Sequence, residues 1–320
     1  MYKAFYNLKR NPFEITPDPS FLFATKKHNE ALAALYYGVR WRKGFVVLTG
    51  EVGTGKTLLV RCLLQTLTRA NVAFAYVFNS RLNEMEFLQY VSGDFGLAES
   101  GKTKSELLLG LANFVIARSR KNLTTVLVVD EAHHLSLGVL EEIRLLTNLE
   151  SPREKLLQIL LIGQPELDDR LDRDDLRQLK QRIALRAHLS PLELDETRAY
   201  VYRRLQLAGN AKPETVFPTD TISEIHRYSR GFPRLINTLC ENGLIHAYAN
   251  QAAAVAPEMI EEIAEDLRLD IPYRRSPEDV VNREPGMQVQ QAARTLRDLY
   301  AQIRQAHGEG TDVKTFAGKT

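Results

Sequence analysis

The sequence contains no apolar run of the roughly 18 residues that a membrane-spanning helix needs. The N-terminal stretch MYKAFYNLKRNPFEITPDP also lacks the apolar segment of a secretory signal. Cysteine is scarce, and Cys62 and Cys240 stand far apart, each within an apolar pattern of helical spacing. We therefore expect two buried thiols rather than a disulfide or a metal pair, and a reducing, cytoplasmic location.

Net charge is also small. The 320 residues include 42 Lys and Arg against 40 Asp and Glu, which gives a formal net charge of +2. This balance neither requires nor excludes a nucleic-acid partner, since a basic face can be local. A hydrophobic fraction of 44% and a charged fraction of 26% are typical of a folded chain, long enough for one large domain or two of ordinary size.

Apolar runs of strand length alternate with helical patterns between residues 31 and 191. They are rich in Val, Leu, Ile or Phe, as expected of parallel strands covered by helices on both faces. The predicted strands are FVVLTG (45–50), FAYVFN (74–79), TVLVVD (125–130), LQILLIG (157–163) and IALRAHL (183–189). The fifth mixes polar and apolar residues, which indicates an edge strand. The predicted fold class is therefore α/β, a parallel sheet sandwiched by helices.

The regions on either side of this αβα domain differ from it. Residues 1–30 are rich in Pro and aromatics, which predicts an extended arm packed on the body. Residues 192–270 show only helical patterns, roughly 195–208, 219–229, 234–250 and 256–267, and predict a small helical lid domain. Residues 271–320 predict a polar linker, one amphipathic helix and a disordered end.

A phosphate-binding motif joins the first strand to the following helix. GEVGTGKT matches G-x-x-x-x-G-K-[ST], in which backbone N–H groups surround the phosphates of a nucleotide such as ATP. The lysine of the motif reaches the β and γ phosphates, and the final hydroxyl binds Mg²⁺. The nucleotide-binding residues predicted on this basis are Gly50, Glu51, Val52, Gly53, Thr54, Gly55, Lys56, Thr57 and Leu58.

Acidic and polar residues follow two further strands. VLVVDEAHH places Asp130 and Glu131 at a strand end, where Asp130 would hold Mg²⁺ and Glu131 would polarise the attacking water. Gln164, after the fourth strand, would hydrogen-bond the γ-phosphate or orient that water. DEAH also occurs as a helicase box, but a second motor core would need far more chain. We expect His133 and His134 to be surface or packing residues rather than ligands.

Arginines provide candidate catalytic groups outside the phosphate loop. Arg182 stands at the junction of a helix and the fifth strand, an outer corner from which a guanidinium could reach a neighbouring subunit's nucleotide. Arg186 is the second candidate for this role in trans. Arg234 follows Pro233 in GFPRLIN, where a helix N-terminus and an arginine together make an anion site.

Taken in order, these motifs resemble those of AAA+ ATPases over about residues 31–270. The opening MYKAFYNLKRNPFEITPDPSFLF, with GFVVLTGEVGTGKT, VVDEAHHL, GQPEL, LKQRI and GFPRLIN, resembles the ExeA-like (general secretion pathway protein A) family more narrowly. The resemblance implies Walker A roles for Lys56 and Thr57 and Walker B roles for Asp130 and Glu131.

Further roles follow from the same resemblance. It implies sensor 1 for Gln164, the arginine finger for Arg182 and sensor 2 for Arg234. Asn79, at the end of the second predicted strand, occupies the place of a polar residue that can hold the Walker B glutamate inactive. Many AAA+ proteins carry Asn as sensor 1, and Gln keeps the amide with one more methylene.

The resemblance also implies a function. It implies an ATPase that uses ATP and Mg²⁺, forms a homo-oligomeric ring such as a hexamer, and drives assembly of a secretion or exopolysaccharide export system. Longer members continue into a membrane span and a peptidoglycan-binding region, neither of which this sequence shows. The expected location is cytoplasmic, or peripheral at the inner membrane through partners. The alternative is an ATP-dependent DNA-binding transposition regulator of the TnsC, TniB and MuB type, which the near-neutral charge does not favour.

Overall fold

The computed structural model describes residues 2–68, 71–79, 81–98 and 102–269. The predicted linker and C-terminal helix of residues 271–320 lie outside them. No helix in the described ranges has the length and apolar character needed to cross a membrane. The strands are β1 Phe45–Gly50, β2 Ala73–Val77, β3 Thr125–Val129, β4 Leu157–Gly163 and β5 Ile183–Leu189. The helices are α1 Tyr2–Phe5, α2 Lys26–Arg40, α3 Lys56–Thr68, α4 Glu84–Asp94, α5 Lys104–Arg120, α6 Leu137–Leu146, α7 Glu166–Leu171, α8 Arg177–Lys180, α9 Leu194–Ala208, α10 Pro213–Val216, α11 Thr219–Ser229, α12 Pro233–Ala249 and α13 Pro257–Asp266.

The sheet of the described chain has five strands, all parallel, in the order β2-β3-β4-β1-β5. The predicted α/β class is therefore confirmed. β5 lies at an edge, as its mixed composition predicts, and its residues alternate between half-buried and exposed before the buried Leu189. β1, β3 and β4 are buried along their whole length because helices cover both faces. β2 ends at Val77, two residues earlier than predicted.

Side chains of β1 alternate between two apolar cores. Phe45 and Val47 belong to the core that α4, α5 and α6 cover, and Val46 and Leu48 belong to the core under α2 and α3. Full burial of such a side chain stabilises the fold by about 1.5–3 kcal/mol. This two-sided packing fixes β1, and therefore fixes the loop between β1 and α3 at the carboxyl edge of the sheet.

A third core joins the helical lid to the N-terminal arm. Residues of α9, α11, α12 and α13 enclose Tyr2, Tyr6 and Phe13 from the arm. The Phe13 ring meets Phe217 edge-on, with centroids 5.9 Å apart, and the Tyr2 hydroxyl donates to the Glu241 carboxylate at 2.8 Å. The arm therefore packs on the lid. It is not extended throughout, because Tyr2–Phe5 is helical and Pro19–Phe21 forms a 3₁₀ turn capped by the preceding aspartate.

Candidate nucleotide-binding site

Glycine backbone and an internal hydrogen bond shape the phosphate loop. Gly53 and Gly55 have φ angles of +82° and +98°, left-handed conformations that residues with a Cβ rarely adopt. Thr54 is buried, and its Oγ1 donates to the Glu51 carbonyl at 2.8 Å. The loop leads into the first turn of α3, whose N–H groups have no partner within the helix and attract anions. Val52 is exposed at the loop, and Leu58 is half-buried on α3.

Lys56, the first residue of α3, lies against this loop. Its Nζ donates to the carbonyl oxygens of Gly50 at 2.7 Å and of Glu51 at 3.0 Å, and the residue is only 7% exposed. Burial lowers the pKa of the ammonium, while the carboxylates of Glu131 and Asp130 oppose that shift. The positive charge is thus partly desolvated beside the loop backbone, where it attracts an anion more strongly than it would in water.

Thr57 and Asp130 form the candidate metal pair. The Thr57 Oγ1 donates to Asp130 Oδ2 at 3.1 Å, which joins the start of α3 to the residue after β3. Asp130 is 5% exposed, and its Oδ2 also accepts from the Tyr76 hydroxyl at 2.7 Å. Burial, with the neighbouring Asp130 carboxylate, raises the pKa of the Tyr76 phenol, so that it stays a donor. Hydroxyl and carboxylate oxygens at a phosphate loop are ligands that suit Mg²⁺.

Glu131 follows Asp130 in a strained conformation. Its φ and ψ angles are +52° and +36°, in the left-handed region that costs a non-glycine residue roughly 1–2 kcal/mol. The backbone N–H donates to Asp130 Oδ1 at 2.9 Å, which holds the turn. The two carboxylates differ in exposure: that of Asp130 is buried beside Thr57, and the Glu131 side chain is 47% exposed. Local strain of this kind concentrates at functional sites.

His133 connects Glu131 with Gln164, a role that the sequence did not indicate. One ring nitrogen lies 2.8 Å from Gln164 Nε2, and the other lies 3.5 Å from Glu131 Oε2. The residue is 9% exposed, and burial lowers the pKa of the imidazole, which favours the neutral ring. The Arg170 guanidinium holds the 3₁₀ turn Ala132–His134 in place by donating to the carbonyls of His133 and Leu135. The signal in the sequence was the position of His133, two residues after the predicted base.

Arg234 brings the lid to the phosphate loop. Its backbone N–H donates to the Gly53 carbonyl at 3.3 Å, and a Cβ on Gly53 would stand 3.0 Å from the Arg234 Cβ. The arginine is exposed in the first turn of α12, which begins at Pro233. The structure therefore places Arg234 beside the same loop as Lys56 and Thr57.

Arg182 and Arg186 lie away from this loop. Ile183 pairs with Phe45 and Leu189 with Gly50, so Arg182 is separated from the phosphate loop by the length of β5, about 20 Å at ~3.3 Å per residue. Arg182 donates to Thr147 Oγ1 at 3.1 Å. Arg186 is bound to two carboxylates of its own chain, Asp168 at 2.6 Å and Asp172 at 3.4 Å. Arg182 thus donates to one neutral hydroxyl, whereas Arg186 is held by two carboxylates of its own chain.

The predicted contact between Asn79 and Glu131 is absent from the hydrogen bonds of the described residues. Asn79 is exposed, and its Oδ1 accepts from the Arg81 N–H at 3.1 Å. The physical reason is that β2 ends at Val77. Asn79 therefore stands in the following turn, where an asparagine caps local backbone, instead of at the strand end.

His28 supports the phosphate loop from the N-terminal side. It lies in the first turn of α2, with Nδ1 2.8 Å from Thr25 Oγ1 and Nε2 3.2 Å from the Thr54 carbonyl. Burial lowers the pKa of this imidazole. The N-terminal arm thus packs on the lid and also, through His28, contacts the phosphate loop.

Comparisons with known proteins bear on the family and the fold of the chain. A family model described as an AAA domain matches residues 39–171. General secretion pathway protein A of Aeromonas hydrophila is 46% identical over 250 residues, which are 78% of this chain and 45% of that protein. The chain thus spans less than half the length of this relative.

Solved structures show the same fold at low identity. The Aeropyrum pernix ORC2 protein with ADPNP and ADP has a TM-score of 0.63 and 18% identity, covering 81% of this chain and 72% of that one. Drosophila ORC bound to DNA has a TM-score of 0.62 and 17% identity over 94% and 79% of the two chains. CDC6P from Pyrobaculum aerophilum has a TM-score of 0.59 and 19% identity over 77% and 70%.

Proposed function

This chain belongs to the AAA-domain proteins related to general secretion pathway protein A, and from that premise we propose that it hydrolyses ATP to drive assembly of a secretion or envelope-polysaccharide export system. The observation that carries the proposal is the convergence of Lys56, Thr57, Asp130 and Glu131 at the carboxyl edge of the sheet, around one glycine-shaped loop. A buried cation, a hydroxyl–carboxylate pair and an exposed carboxylate are the separate parts that phosphoryl transfer to water requires.

Each group has a distinct task in this proposal. The N–H groups of the loop and the Lys56 ammonium bind the phosphates of ATP, and Thr57 with Asp130 holds the Mg²⁺. When bound, that ion neutralises charge on the β and γ phosphates. The Glu131 carboxylate, which is the more exposed of the two, accepts the proton of the attacking water. The Gln164 amide orients that water or the γ-phosphate.

The lid and a second subunit complete the site in this proposal. Arg234 reports the state of the phosphate loop to the lid because its backbone already bonds to Gly53. Arg182 lies too far from its own loop to serve it and acts on the nucleotide of a neighbouring subunit. Homo-oligomers, in the form of a ring, are therefore required for full activity. The protein would work in the cytoplasm or at the inner membrane through its export partners.

Electron microscopy of the purified full chain tests the assembly that this proposal requires. Particles are compared with a non-hydrolysable ATP analogue, without nucleotide, and with the analogue plus duplex DNA. We expect closed rings that depend on the analogue and are indifferent to DNA. Lys56→Ala serves as the matched control that cannot bind the analogue. Filaments that form only on DNA would replace the export proposal with that of a DNA-dependent regulator.

A further inference from the structure

The loops that precede three neighbouring strands form one surface at the end of the sheet opposite the phosphate loop. We define the amino-end face as residues 40–44, 118–124 and 150–156, which lead into β1, β3 and β4. Because Phe45 pairs with Ile159 and Thr125 with Leu157, these strands begin at nearly the same level. Parallel strands in register therefore bring the three loops together at one edge of the sheet.

Hydrogen bonds join the three loops. The Arg42 guanidinium donates to Asn122 Oδ1 at 3.0 Å and forms an ion pair with the Glu154 carboxylate. The Ser119 hydroxyl donates to the same carboxylate at 3.3 Å. Each loop thus contacts another through a side chain. These contacts hold the three loops, and the charges they carry, in fixed relative positions.

The amino-end face is strongly basic although the chain is nearly neutral. Its eight basic residues are Arg40, Arg42, Lys43, Arg118, Arg120, Lys121, Arg153 and Lys155, against the two acidic residues Glu150 and Glu154. The face therefore carries a formal net charge of +6 within a chain of net charge +2. Both carboxylates are engaged, Glu154 by Arg42 and Glu150 by Lys155.

Most of the positive charge on this face is available to a partner. The exposed basic residues that form no ion pair with any described residue are Arg40, Lys43, Arg120, Lys121 and Arg153. Repulsion among charges so close together has a cost, which an anionic partner relieves.

Trp41 adds an exposed aromatic ring among these charges. It is 51% exposed at the C-terminal end of α2, and its ring stacks on Tyr37 with centroids 4.8 Å apart. It is the one aromatic residue in the sequence of the three loops and the one tryptophan of the chain. A tryptophan beside lysines and arginines is the composition found at the headgroup level of membranes.

We propose that the amino-end face docks on the surface of a bilayer that contains anionic lipids. The basic side chains bind lipid phosphates, and Trp41 enters the headgroup layer. Nucleic acid is the less favoured partner, because single strands are bound along a groove with successive aromatic platforms, and the sequence of a duplex is read by an element inserted into a groove. This face offers one exposed aromatic ring, that of Trp41. Docking there leaves the phosphate loop, about 20 Å away along the strands, open to nucleotide.

The expected strength follows from the charges. Each lysine or arginine near an anionic surface contributes about 1 kcal/mol, which is roughly a fivefold change in partition coefficient. Removing three exposed charges should therefore weaken binding by about 100-fold. Because the Debye length is about 8 Å at physiological salt, the wild-type interaction should weaken steeply as salt is raised. Docking does not depend on ATP hydrolysis, so this proposal can fail or hold independently of the proposed function.

The experiment measures binding of the full chain to vesicles of phosphatidylcholine, with and without phosphatidylglycerol, by cosedimentation. Emission of the single tryptophan reports directly on Trp41. We expect binding to the phosphatidylglycerol vesicles alone, with a blue shift in emission. The face variant Arg40→Gln/Lys121→Gln/Arg153→Gln should lose about 100-fold in partition. The control Lys26→Gln/Lys212→Gln/Arg268→Gln, which removes the same charge from exposed positions elsewhere, should bind as the wild type does.

Three results would overturn the proposal. The first is no preference of the wild type for phosphatidylglycerol vesicles. The second is an equal loss of binding in the face and control variants, which would indicate an effect of net charge alone. The third is binding to single-stranded or duplex DNA that depends on the face residues, without binding to vesicles, which would assign the face to nucleic acid. Circular dichroism melts of both variants verify that the exposed substitutions leave the fold intact.

Discussion

Gly231 and Gly96 form a matched pair for testing how the lid helix that carries Arg234 is held. Their φ angles are +77° and +76°, so replacement by alanine costs both the same left-handed strain, about 1–2 kcal/mol. Their surroundings differ. A Cβ on Gly231 would stand 2.0 Å from the Leu192 carbonyl oxygen, whereas a Cβ on Gly96 would meet nothing within 4 Å.

The steric term should therefore separate the two variants. The atom that a Cβ on Gly231 would meet belongs to the backbone of Leu192. The Gly231 carbonyl accepts from the Leu192 N–H at 2.9 Å, so neither residue can move away without breaking that hydrogen bond. Overpacking of this kind costs about 1–3 kcal/mol, which predicts a total of about 2–5 kcal/mol for Gly231→Ala against about 1–2 kcal/mol for Gly96→Ala. Gly231 precedes α12, so the shift should also move Arg234 away from Gly53 and weaken ATP binding.

Urea unfolding and fluorescent-nucleotide titration measure these effects. Gly231→Ala should have the lower unfolding midpoint and a raised Kd for the nucleotide, and Gly96→Ala should keep wild-type Kd. Equal midpoints for the two variants would refute the steric argument. A lower midpoint for Gly231→Ala with unchanged nucleotide affinity would refute the link between this turn and the phosphate loop.

Three further predictions concern His133, Arg182 and His28. His133→Ala should lower kcat by about 10-fold or more with little change in KM, because it leaves the Gln164 amide without its partner at a cost of about 1–3 kcal/mol. In a double-mutant cycle with Gln164→Ala, the two losses in kcat should be non-additive. Strictly additive losses would exclude coupling between the two side chains. A mixture of Arg182→Ala and Lys56→Ala should regain ATPase activity that neither variant has alone, since an arginine finger in trans raises kcat by about 10³-fold. Mixed oligomers that are proven to form but show no recovery would contradict a role of Arg182 in trans. Burial lowers the pKa of His28 in the folded state, so the unfolded chain binds more protons. The stability that neutral His28 contributes is fully present above about pH 6.5 and is lost as the pH falls through the folded pKa. Over that pH range, the urea midpoint of His28→Gln should therefore decline less than the wild-type midpoint.

The predictable parts of this molecule are those that local sequence determines. Apolar runs bounded by turn residues defined β1 and β4 at their observed bounds, because a strand buried on both faces must be apolar throughout. The bounds of the half-exposed β5 also matched. The phosphate loop was equally readable, since Gly53 and Gly55 are needed at positive φ. The edge position of β5 followed from its mixed composition.

The parts that escaped prediction depend on tertiary contacts. His133 and Tyr76 lie in apolar or turn contexts that resemble ordinary packing, and only the meeting of β2, β3 and β4 brings them to Glu131, Gln164 and Asp130. The position of Asn79 differs for another reason: β2 ends two residues earlier than predicted, so the asparagine lies beyond the strand, where its Oδ1 accepts from Arg81 N–H. Its role toward Glu131 stays a prediction. Strand ends are set by pairing and capping, which periodicity does not resolve.

The most direct test of the ATPase assignment compares steady-state ATP hydrolysis and nucleotide binding in the wild type, Lys56→Ala and Glu131→Gln. Lys56 is buried against the loop and Glu131 is exposed beyond Asp130, so one substitution should remove binding and the other should remove turnover alone. We expect hydrolysis by the wild type, no ATP binding by Lys56→Ala, and tight binding without turnover by Glu131→Gln. Equal hydrolysis rates for the wild type and Glu131→Gln would contradict the assignment of the catalytic base and with it the proposed site.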